Sequence, residues 1–389
     1  MGHMQSFGGS AEVKFLGEDE ECADVLCVHN GAPIVDAASS SVRARIYSCS
    51  KCINRIHYKY WTGINDSEKM TEVTVIRGSR RNAMDKTMSL SQAIGTYLND
   101  GDTVALEGFG HIVQVAAAHE IIRQGFTDLV LARMSCDVIV DQLLGANCLQ
   151  GLISSFIANS SAGSLHELRR RIEKSDPKPL WFEEYSHGGM VARYQAGAAK
   201  LPFQPIASYR GSDLAAKNPR IKSVPDPYGG PGIHVVPALN PDLTIIHAQR
   251  ADMHGNVQAW GMLGIQTEAA FAGRRLIVTV EEIVDEAVVR ADPNRTIVPA
   301  HVVDAVVAVP RGSHPHSVQG YYDRDDEFSR QWSVLARDAA AVQDWLETNI
   351  RGTSDHDEFL ATLGSDHFER LVIHDAYSTP VNYGGRAWH

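Results

Sequence analysis

Apolar runs of strand length alternate with segments of helical period over residues 86–351. Val104–Leu106 and Leu129–Ala132 have the pattern of buried strands, and Ile112–Arg123 between them has a helical pattern that ends at Gly125. This alternation is typical of a parallel sheet. We therefore predict an α/β fold, with an open, mostly parallel sheet and helices on both faces. Further strands are predicted at Gly151–Phe156, Leu180–Glu184, Leu243–His247, Leu276–Val280 and Ala305–Val309, and helices at Leu90–Leu98, Val138–Leu144, Leu165–Lys174, Gly189–Ala199, Thr267–Phe271 and Phe328–Ile350.

The same patterns divide the chain into three parts. Residues 1–85 sustain no period of 3.6 or 2, and they begin with Met1–Met4, which resembles a tag remnant. We expect a poorly structured extension or a small appended module there, with a strand at Val73–Ile76. Residues 86–351 form the main domain. From Gly352 the chain is polar, so we expect 352–389 to be a loosely attached tail.

The stretch 232–261 shows the sharpest change from apolar to polar positions. The apolar run Leu243–Ile246 is followed at once by a cluster of polar side chains. A strand that leaves the core in this way marks the rim of a sheet, where open α/β proteins bind ligands. We predict a functional rim, and the alternative is a solvated loop. The cluster consists of His247, Gln249, Arg250, Asp252, His254, Asn256 and Gln258.

Composition and charge narrow the class of protein. The 389 residues are 44% hydrophobic and 21% charged, as in ordinary globular proteins. The net charge of −11 and the lack of a long Lys/Arg block argue against a nucleic-acid partner. No apolar run approaches the roughly 18 residues that cross a bilayer, and the N-terminus lacks the order of a secretory signal. We therefore expect a cytoplasmic protein with no membrane partner.

The cysteines and histidines give little reason to expect a metal. Cys49 and Cys52 form a CxxC pair that two further thiolates would complete as a zinc site, but the remaining spacing favours incidental cysteines. Cys136 and Cys148 lie among apolar residues and are predicted to be core. His314–Pro315–His316 is short and broken by proline, so we predict no metal there. The cysteines are Cys22, Cys27, Cys49, Cys52, Cys136 and Cys148.

Two strand ends carry candidate chemistry. Gly108–Phe109–Gly110 follows a predicted strand, and such glycines leave N–H groups free to face an anion or a developing oxyanion, although an ordinary turn is the alternative. The block Glu183–His187 offers carboxylates, a hydroxyl and an imidazole for acid/base or nucleophilic chemistry. Ser186 is equally suited to cap the next helix. Glu183 and Glu184 point to opposite faces of a strand, so only one can face a cleft.

Many blocks of the chain, in order, resemble one known family. This family is the A (alpha) subunit of class I coenzyme A transferases, of the glutaconate CoA-transferase type, and the resemblance covers about residues 86–350. The blocks are Leu106–Gly110, Ala116–Glu120, Arg123–Gly125, Gly163–His166, Glu183–His187, Ala196–Ala198, Leu201–Phe203, Val236–Leu239, His247–Asp252, Gly255–Gln258 and Val280–Val284.

The resemblance implies an enzyme that needs a B (beta) subunit. It implies ping-pong transfer of CoA between an acyl-CoA and a carboxylate through a glutamyl-CoA thioester. The glutamate would belong to the B subunit, and CoA would be a substrate rather than a cofactor. Gly108, Phe109 and Gly110 would form the oxyanion loop. Further residues would line the acyl site or shape the cleft, namely Glu184, Ser186, His187, Gln249, Arg250 and Asn256.

The same family leaves two alternatives open. A related branch cleaves carbon–carbon bonds in cyclic acyl-CoA intermediates of steroid breakdown, and Glu184 is the candidate counterpart of the A-subunit glutamate implicated there. A third hypothesis is a non-catalytic partner that stabilises a B subunit. The chain also departs from the family at Ala158–Ser161, where Gly-Asn-Pro-Gly is usual, and residues 1–85 have no counterpart.

Overall fold

The structure is a computed structural model that describes residues 84–159 and 162–373, together with the backbone of five earlier strands. The chain divides into two compact units, residues 1–84 and 85–389. In the first unit, β3, β4 and β5 form an antiparallel sheet, and β1 pairs with β2. The predicted strand Val73–Ile76 lies within β5. These strands are β1 (Lys14–Phe15), β2 (Leu26–Cys27), β3 (Ala44–Ser48), β4 (Arg55–Thr62) and β5 (Lys69–Ile76).

Predictions for the remaining parts of the first unit stay untested. The side chains of Cys22, Cys27, Cys49 and Cys52 lie outside the described residues, as does Met1–Met4. The zinc hypothesis for these cysteines therefore remains a prediction.

The second unit is built on a mostly parallel sheet, and the predicted α/β fold is confirmed. Seven parallel strands run in the order β17-β15-β13-β6-β7-β8-β9. The antiparallel strands β14 and β16 extend the sheet beside the carboxyl end of β13. A separate antiparallel sheet has the order β10-β12-β11. The strands are β6 (Thr103–Leu106), β7 (Leu129–Ala132), β8 (Leu149–Ser154), β9 (Trp181–Glu184), β10 (Phe203–Ile206), β11 (Lys222–Val224), β12 (Ile233–Pro237), β13 (Leu243–Asp252), β14 (Val257–Gln258), β15 (Arg275–Val284), β16 (Thr296–Val298) and β17 (Ala305–Ala308).

The helices begin and end at residues with identifiable capping chemistry. Ser89 forms a capping box with Gln92 at the start of α1, and Gly125 ends α2 with a left-handed φ of 76°. Within the described chain, no helix is long and apolar enough to cross a membrane. The helices are α1 (Leu90–Tyr97), α2 (Val115–Gln124), α3 (Val138–Gly145), α4 (His166–Lys174), α5 (His187–Ala198), α6 (Asp213–Lys217), α7 (Gln266–Ala272), α8 (Glu286–Ala291), α9 (Asp326–Leu335), α10 (Ala339–Leu346), α11 (His356–Leu363) and α12 (Ser365–Glu369).

Each face of the sheet is covered by its own hydrophobic cluster. Along β6, Val104 and Leu106 face one cluster, formed with helices such as α1, α2 and α3, whereas Ala105 faces the other. The second cluster contains Met190 of α5 and Ala269 of α7. Because successive side chains of a strand point to opposite faces, apolar residues at every position of β6 require helices on both sides.

The C-terminal segments differ from the expectations in two ways. The predicted helix Phe328–Ile350 is divided into α9 and α10, because Asp338 accepts a hydrogen bond from Ala340 N and thereby starts a new helix. The prediction of a loosely attached tail from Gly352 is wrong for α11 and α12. Phe359 and Phe368 are both buried in the main core, and this contact fixes the two helices to the sheet unit.

Candidate active site

The Gly108–Phe109–Gly110 loop follows β6 at the point where the strand order reverses. From β6 the chain passes to β7, β8 and β9 on one side, and later to β13, β15 and β17 on the other. Open α/β sheets bind ligands outside the carboxyl ends of the strands at such a reversal. The loop therefore lies where this fold places a ligand.

Side chains hold the carbonyl groups at the start of the loop. Arg133, which is fully buried, donates hydrogen bonds to the carbonyl of Leu106 and, at 3.3 Å, to that of Gly108. Gln114 Nε2 donates to the carbonyl of Glu107 at 2.7 Å. With these carbonyls fixed, the peptide planes at the start of the loop cannot rotate freely.

The N–H groups of the loop are left available. Among the described residues, no acceptor takes the backbone N–H of Gly108, Phe109 or Gly110. A Cβ at position 108 would lie 2.8 Å from the carbonyl oxygen of Ile112, so only glycine fits there, and Gly110 has a left-handed φ of 66°. Three successive donors without partners can stabilise a negative charge on a bound carbonyl oxygen.

Glu107 and Arg133 are site residues that the sequence analysis did not single out. Glu107 is buried and its Oε1 accepts hydrogen bonds from Met134 N at 2.9 Å and Tyr194 Oη at 2.8 Å. Burial raises the pKa of Glu107 to about 7. Arg133 also forms a buried ion pair with Asp137. The available sequence signal was a charged residue directly after a buried strand in both cases.

His187, which was predicted to line the acyl site, lies beside the loop. Its ring lies 6.3 Å from the ring of Phe109 and 6.3 Å from that of Phe156, both in edge-on geometry. Ser155 Oγ lies 3.0 Å from His187 Nδ1. Ser186 is the N-cap of α5, the alternative predicted for it, because its hydroxyl accepts a hydrogen bond from Gly189 N at 3.1 Å.

A cavity of about 130 Å³ opens beside the loop. Arg324 is among its lining residues, and the guanidinium Nε of Arg324 donates to Asp326 Oδ1 at 2.6 Å. Burial lowers the pKa of His316 to about 4 and raises that of the Cys136 thiol to about 12, so both are neutral near pH 7. Arg324 is thus the source of positive charge at this wall. The lining residues are Phe109, Gly110, Ser135, Cys136, Asp137, Asn159, Met262, His316, Arg324 and Ser329.

The adjacent glutamates Glu183 and Glu184 do not reach this cavity. Glu183 is buried and accepts a hydrogen bond from Arg193 Nη1 at 2.7 Å, which makes it part of a structural ion pair. Glu184 is exposed in a second cavity of about 460 Å³, together with Lys217 and Arg220. The two cavities share no lining residue. The structure thus places Glu184 in the second cavity and His187 beside the Gly108–Gly110 loop, and the prediction that both line one acyl site stays a prediction.

The predicted rim at the end of β13 is buried rather than open. β13 continues to Asp252, five residues beyond the predicted end at His247. His247 and Gln249 are fully buried because neighbouring segments cover this end of the strand. His247 Nδ1 lies 2.9 Å from Thr279 Oγ1, and His247 Nε2 lies 2.8 Å from Glu281 Oε1. Both partners belong to the adjacent strand β15.

The three residues predicted to shape the cleft all have intramolecular partners. Gln249 Nε2 donates to the carbonyl of Trp260 at 2.8 Å, and Asn256 Nδ2 donates to Asp252 Oδ2 at 2.6 Å. Arg250 Nε donates to Gln258 Oε1 at 2.8 Å. Their polar groups hold the strand end and the following turn together, which accounts for the polar cluster without a ligand.

Apolar side chains stand exposed around the cavity. Phe109 lines it directly and contacts His187, which in turn contacts Phe156. A Cβ built at Gly264 would lie 3.7 Å from Phe109 Cβ, so the neighbouring segment 262–263 adjoins the loop. Exposed apolar groups that lie close together mark a surface that binds a partner protein, a membrane or a ligand. The exposed residues are Phe109 (42%), Phe156 (41%), Ile157 (46%), Met262 (48%) and Leu263 (42%).

Comparison with known proteins gives a consistent result. The family model for coenzyme A transferase matches residues 87–309. The A subunit of 3-oxoadipate CoA-transferase from Pseudomonas knackmussii is 47% identical over 280 residues, which are 72% of this chain and 99% of that protein. The crystal structure of glutaconate coenzyme A-transferase from Acidaminococcus fermentans matches with a TM-score of 0.71 and 31% identity, over 74% of this chain and 96% of that one. The cholesterol ring-cleaving hydrolase IpdA subunit of Rhodococcus jostii is 27% identical over 285 residues, 70% of this chain and 94% of that protein.

Proposed function

The chain belongs to the coenzyme A transferase family, and on that premise we propose that it is the A subunit of a heteromeric enzyme that moves CoA between carboxylic acids. The observation that carries the proposal is the row of N–H groups at Gly108–Gly110, which have no acceptor among the described residues and lie beside a cavity at the reversal of strand order. The relative at 47% identity, which is named as the A subunit of a CoA-transferase, supports it.

The loop would stabilise the charge that forms when an acyl-CoA is attacked. In the proposed reaction a glutamate carboxylate from the B subunit first attacks the thioester carbonyl, the C–S bond breaks, and an anhydride and CoA thiolate result. The thiolate then attacks the glutamyl carbonyl of the anhydride, which releases the first carboxylate and leaves a glutamyl-CoA thioester. An acceptor carboxylate repeats the two steps in reverse. Each attack places negative charge on a carbonyl oxygen, which the N–H groups of Gly108–Gly110 would bind.

The exposed apolar surface supports the need for a B subunit. Phe109, Phe156 and Met262 surround the cavity mouth, and each is exposed by about two-fifths or more. A partner that covers them would also exclude water from the reacting thioester, which strengthens the hydrogen bonds of the loop and suppresses hydrolysis. The attacking glutamate would come from that partner.

We propose that the acyl group carries a second carboxylate. The names of two relatives contain 3-oxoadipate and glutaconate, which are dicarboxylates. In this chain, Arg324 brings a positive charge to the wall of the cavity beside Phe109. Its guanidinium has five N–H donors, so the bond to Asp326 leaves others for a substrate carboxylate.

The second candidate is a ring-opening acyl-CoA hydrolase subunit with Glu184 as base or nucleophile. The observations that favour it are the exposure of Glu184 in a cavity of its own and the resemblance to the cholesterol ring-cleaving IpdA subunit. The third candidate is a non-catalytic partner of a B subunit. Neither alternative uses the unpaired N–H groups of the Gly108–Gly110 loop beside the smaller cavity, and we therefore rank both below the transferase.

One experiment separates these three functions. The chain is co-purified with a B-type subunit and incubated with the mono-CoA ester of a dicarboxylate, with and without an isotope-labelled free carboxylate. A transferase places the label in a new CoA ester, and borohydride trapping modifies a glutamate of the B subunit. Opening of a cyclic acyl-CoA without an acceptor, abolished by Glu184→Gln, would establish the hydrolase instead. Full activity in both Glu184→Gln and Gly108→Ala complexes would leave only the structural role.

A further inference from the structure

Three side chains from separate parts of the chain, none of which lines the cavity, converge on one point. His314 follows β17, Asp325 caps the start of α9, and His367 belongs to α12. Asp325 Oδ2 lies 3.0 Å from His314 Nε2 and 2.6 Å from His367 Nε2, and the two nitrogens lie 3.3 Å apart. His314 and Asp325 are buried, and the side chain of His367 is 15% exposed.

These three distances are close to the edges of a metal coordination face. Zinc binds histidine nitrogen and carboxylate oxygen at about 2.0–2.2 Å, so neighbouring ligand atoms of a tetrahedral site lie roughly 3.3–3.5 Å apart. The edge between His314 Nε2 and Asp325 Oδ2 would lengthen by roughly 0.3–0.5 Å and the edge between His367 Nε2 and Asp325 Oδ2 by roughly 0.7–0.9 Å, while the edge between the two nitrogens already has the required length. The partly exposed side of His367 leaves room for water as the fourth ligand.

The arrangement is also crowded without a metal. Two imidazole N–H groups would have to share the single acceptor Asp325 Oδ2 while their nitrogens remain 3.3 Å apart. A divalent cation would replace the two shared protons and relieve the contact between the nitrogens.

We propose that His314 Nε2, Asp325 Oδ2 and His367 Nε2 form a structural site for a zinc-class divalent cation. No ligand set of this kind follows from the proposed CoA-transferase activity. The proposal departs from the prediction of no metal at His314–Pro315–His316, because His314 is a proposed ligand and His316 is not. The other two proposed ligands, Asp325 and His367, lie 11 and 53 residues beyond His314, so a local sequence motif cannot show the site.

The cation would restrict the motion of the segment that contributes His316 and Arg324 to the cavity wall. His316 and Arg324 line the cavity, and each is within two residues of a ligand, His314 or Asp325. The ligand His367 joins this segment to α12, which packs on the core through Phe368. Metal binding therefore ties both ends of the segment 314–325 to the C-terminal helix.

Arg370 provides a specific control on the proposal. Its Nη2 lies 2.9 Å from His367 Nδ1, and because a guanidinium only donates, this contact requires an unprotonated Nδ1. A neutral histidine bound to metal through Nε2 carries its proton on Nδ1. Metal must therefore displace Arg370, which is exposed, and Arg370→Gln should bind the cation more tightly because the glutamine oxygen accepts from Nδ1–H.

The test uses the full chain with its B subunit, stripped by a chelator and reloaded with Zn²⁺ or Co²⁺. We expect one metal ion per chain. Co²⁺ bound by oxygen and nitrogen ligands should give visible absorption bands. These bands should be absent in His367→Ala and present in the exposed control His301→Ala. Cysteine sites in the first 52 residues would instead give a thiolate-to-cobalt charge-transfer band that is unchanged in His367→Ala.

Two further readouts do not depend on cobalt. Zn²⁺ should raise the melting temperature of the unmodified complex but not that of His367→Ala, and Arg370→Gln should lower the Kd for Zn²⁺ several-fold. Equal metal content and equal melting shifts in the unmodified, His367→Ala and His301→Ala complexes would overturn the site. Native circular dichroism of His367→Ala would show that the result does not come from misfolding.

Discussion

Glu107 should make the stability of the fold depend on pH. Burial raises its pKa from 4.5 to about 7, so the folded state favours the protonated carboxyl. Since the folded pKa exceeds the unfolded one, the contribution is fully present below pH 4.5 and is lost as the pH rises to about 7. A shift of this size corresponds to about 3 kcal/mol at most, at about 1.4 kcal/mol per pH unit.

The variant Glu107→Gln isolates this effect. The amide stays neutral at every pH, and its oxygen can still accept from Met134 N and Tyr194 Oη. An unsatisfied NH₂ group would add a constant penalty, because it does not titrate. We therefore expect the free energy of unfolding of the variant, relative to the unmodified chain, to rise by about 2–3 kcal/mol between pH 5 and pH 8.

Urea unfolding followed by tryptophan fluorescence at several pH values measures this difference. The exposed Glu173, which pairs with Arg169 and has a lowered pKa, offers the matched control Glu173→Gln. That variant should show no comparable rise. If the difference between Glu107→Gln and the unmodified chain stays constant from pH 5 to pH 8, the carboxyl is not held neutral by burial and the reasoning fails.

Two catalytic predictions rest on the loop and the cavity. Gly108→Ala should lower kcat by roughly 100-fold or more, because its Cβ would meet the Ile112 carbonyl and turn the N–H groups away from the substrate. In Gly110→Ala the new Cβ has no heavy atom within 4 Å, so we expect a kcat within a few-fold of that of the unmodified enzyme. The left-handed φ at this position should lower the stability by about 1–2 kcal/mol. Equal losses of kcat in Gly108→Ala and Gly110→Ala would contradict the oxyanion role. Arg324→Gln should raise KM roughly 10-fold or more for the CoA ester of a dicarboxylate, and leave that of a monocarboxylate unchanged. The exposed control Arg274→Gln should alter neither KM, and an equal rise for both esters in Arg324→Gln would refute a carboxylate contact.

Local pattern was enough to predict the sheet and the place of the loop. Leu129–Ala132 is a strand with the predicted bounds, and Gly108–Phe109–Gly110 follows its strand at the carboxyl edge. Both depend on residues close in sequence, namely an apolar run and glycines next to it. The contact of His187 with the loop also follows from this logic, because β6, β7, β8 and β9 are neighbouring parallel strands whose carboxyl ends meet.

The misses at the candidate site share a physical cause, which is pairing between distant residues. The polar side chain of His247 is fully buried because Thr279 and Glu281 on the adjacent strand satisfy it, and no local pattern distinguishes this from a rim. Arg133 reaches the carbonyl of a residue 27 positions earlier. The proposed metal ligands are likewise far apart along the chain. Such partners become visible only once the sheet order is known.

The buried guanidinium of Arg133 has a consequence for exchanging loops between proteins. It donates hydrogen bonds to the carbonyls of Leu106 and Gly108 from the end of the neighbouring strand. The conformation of the Gly108–Gly110 turn therefore depends on a residue outside the turn. The ordering of the donors is complete when the chain folds, and substrate binding need not repeat it. A graft of the three loop residues onto another scaffold would therefore transfer their sequence but not the rigidity of the turn. The transferable unit is the turn together with the strand behind it.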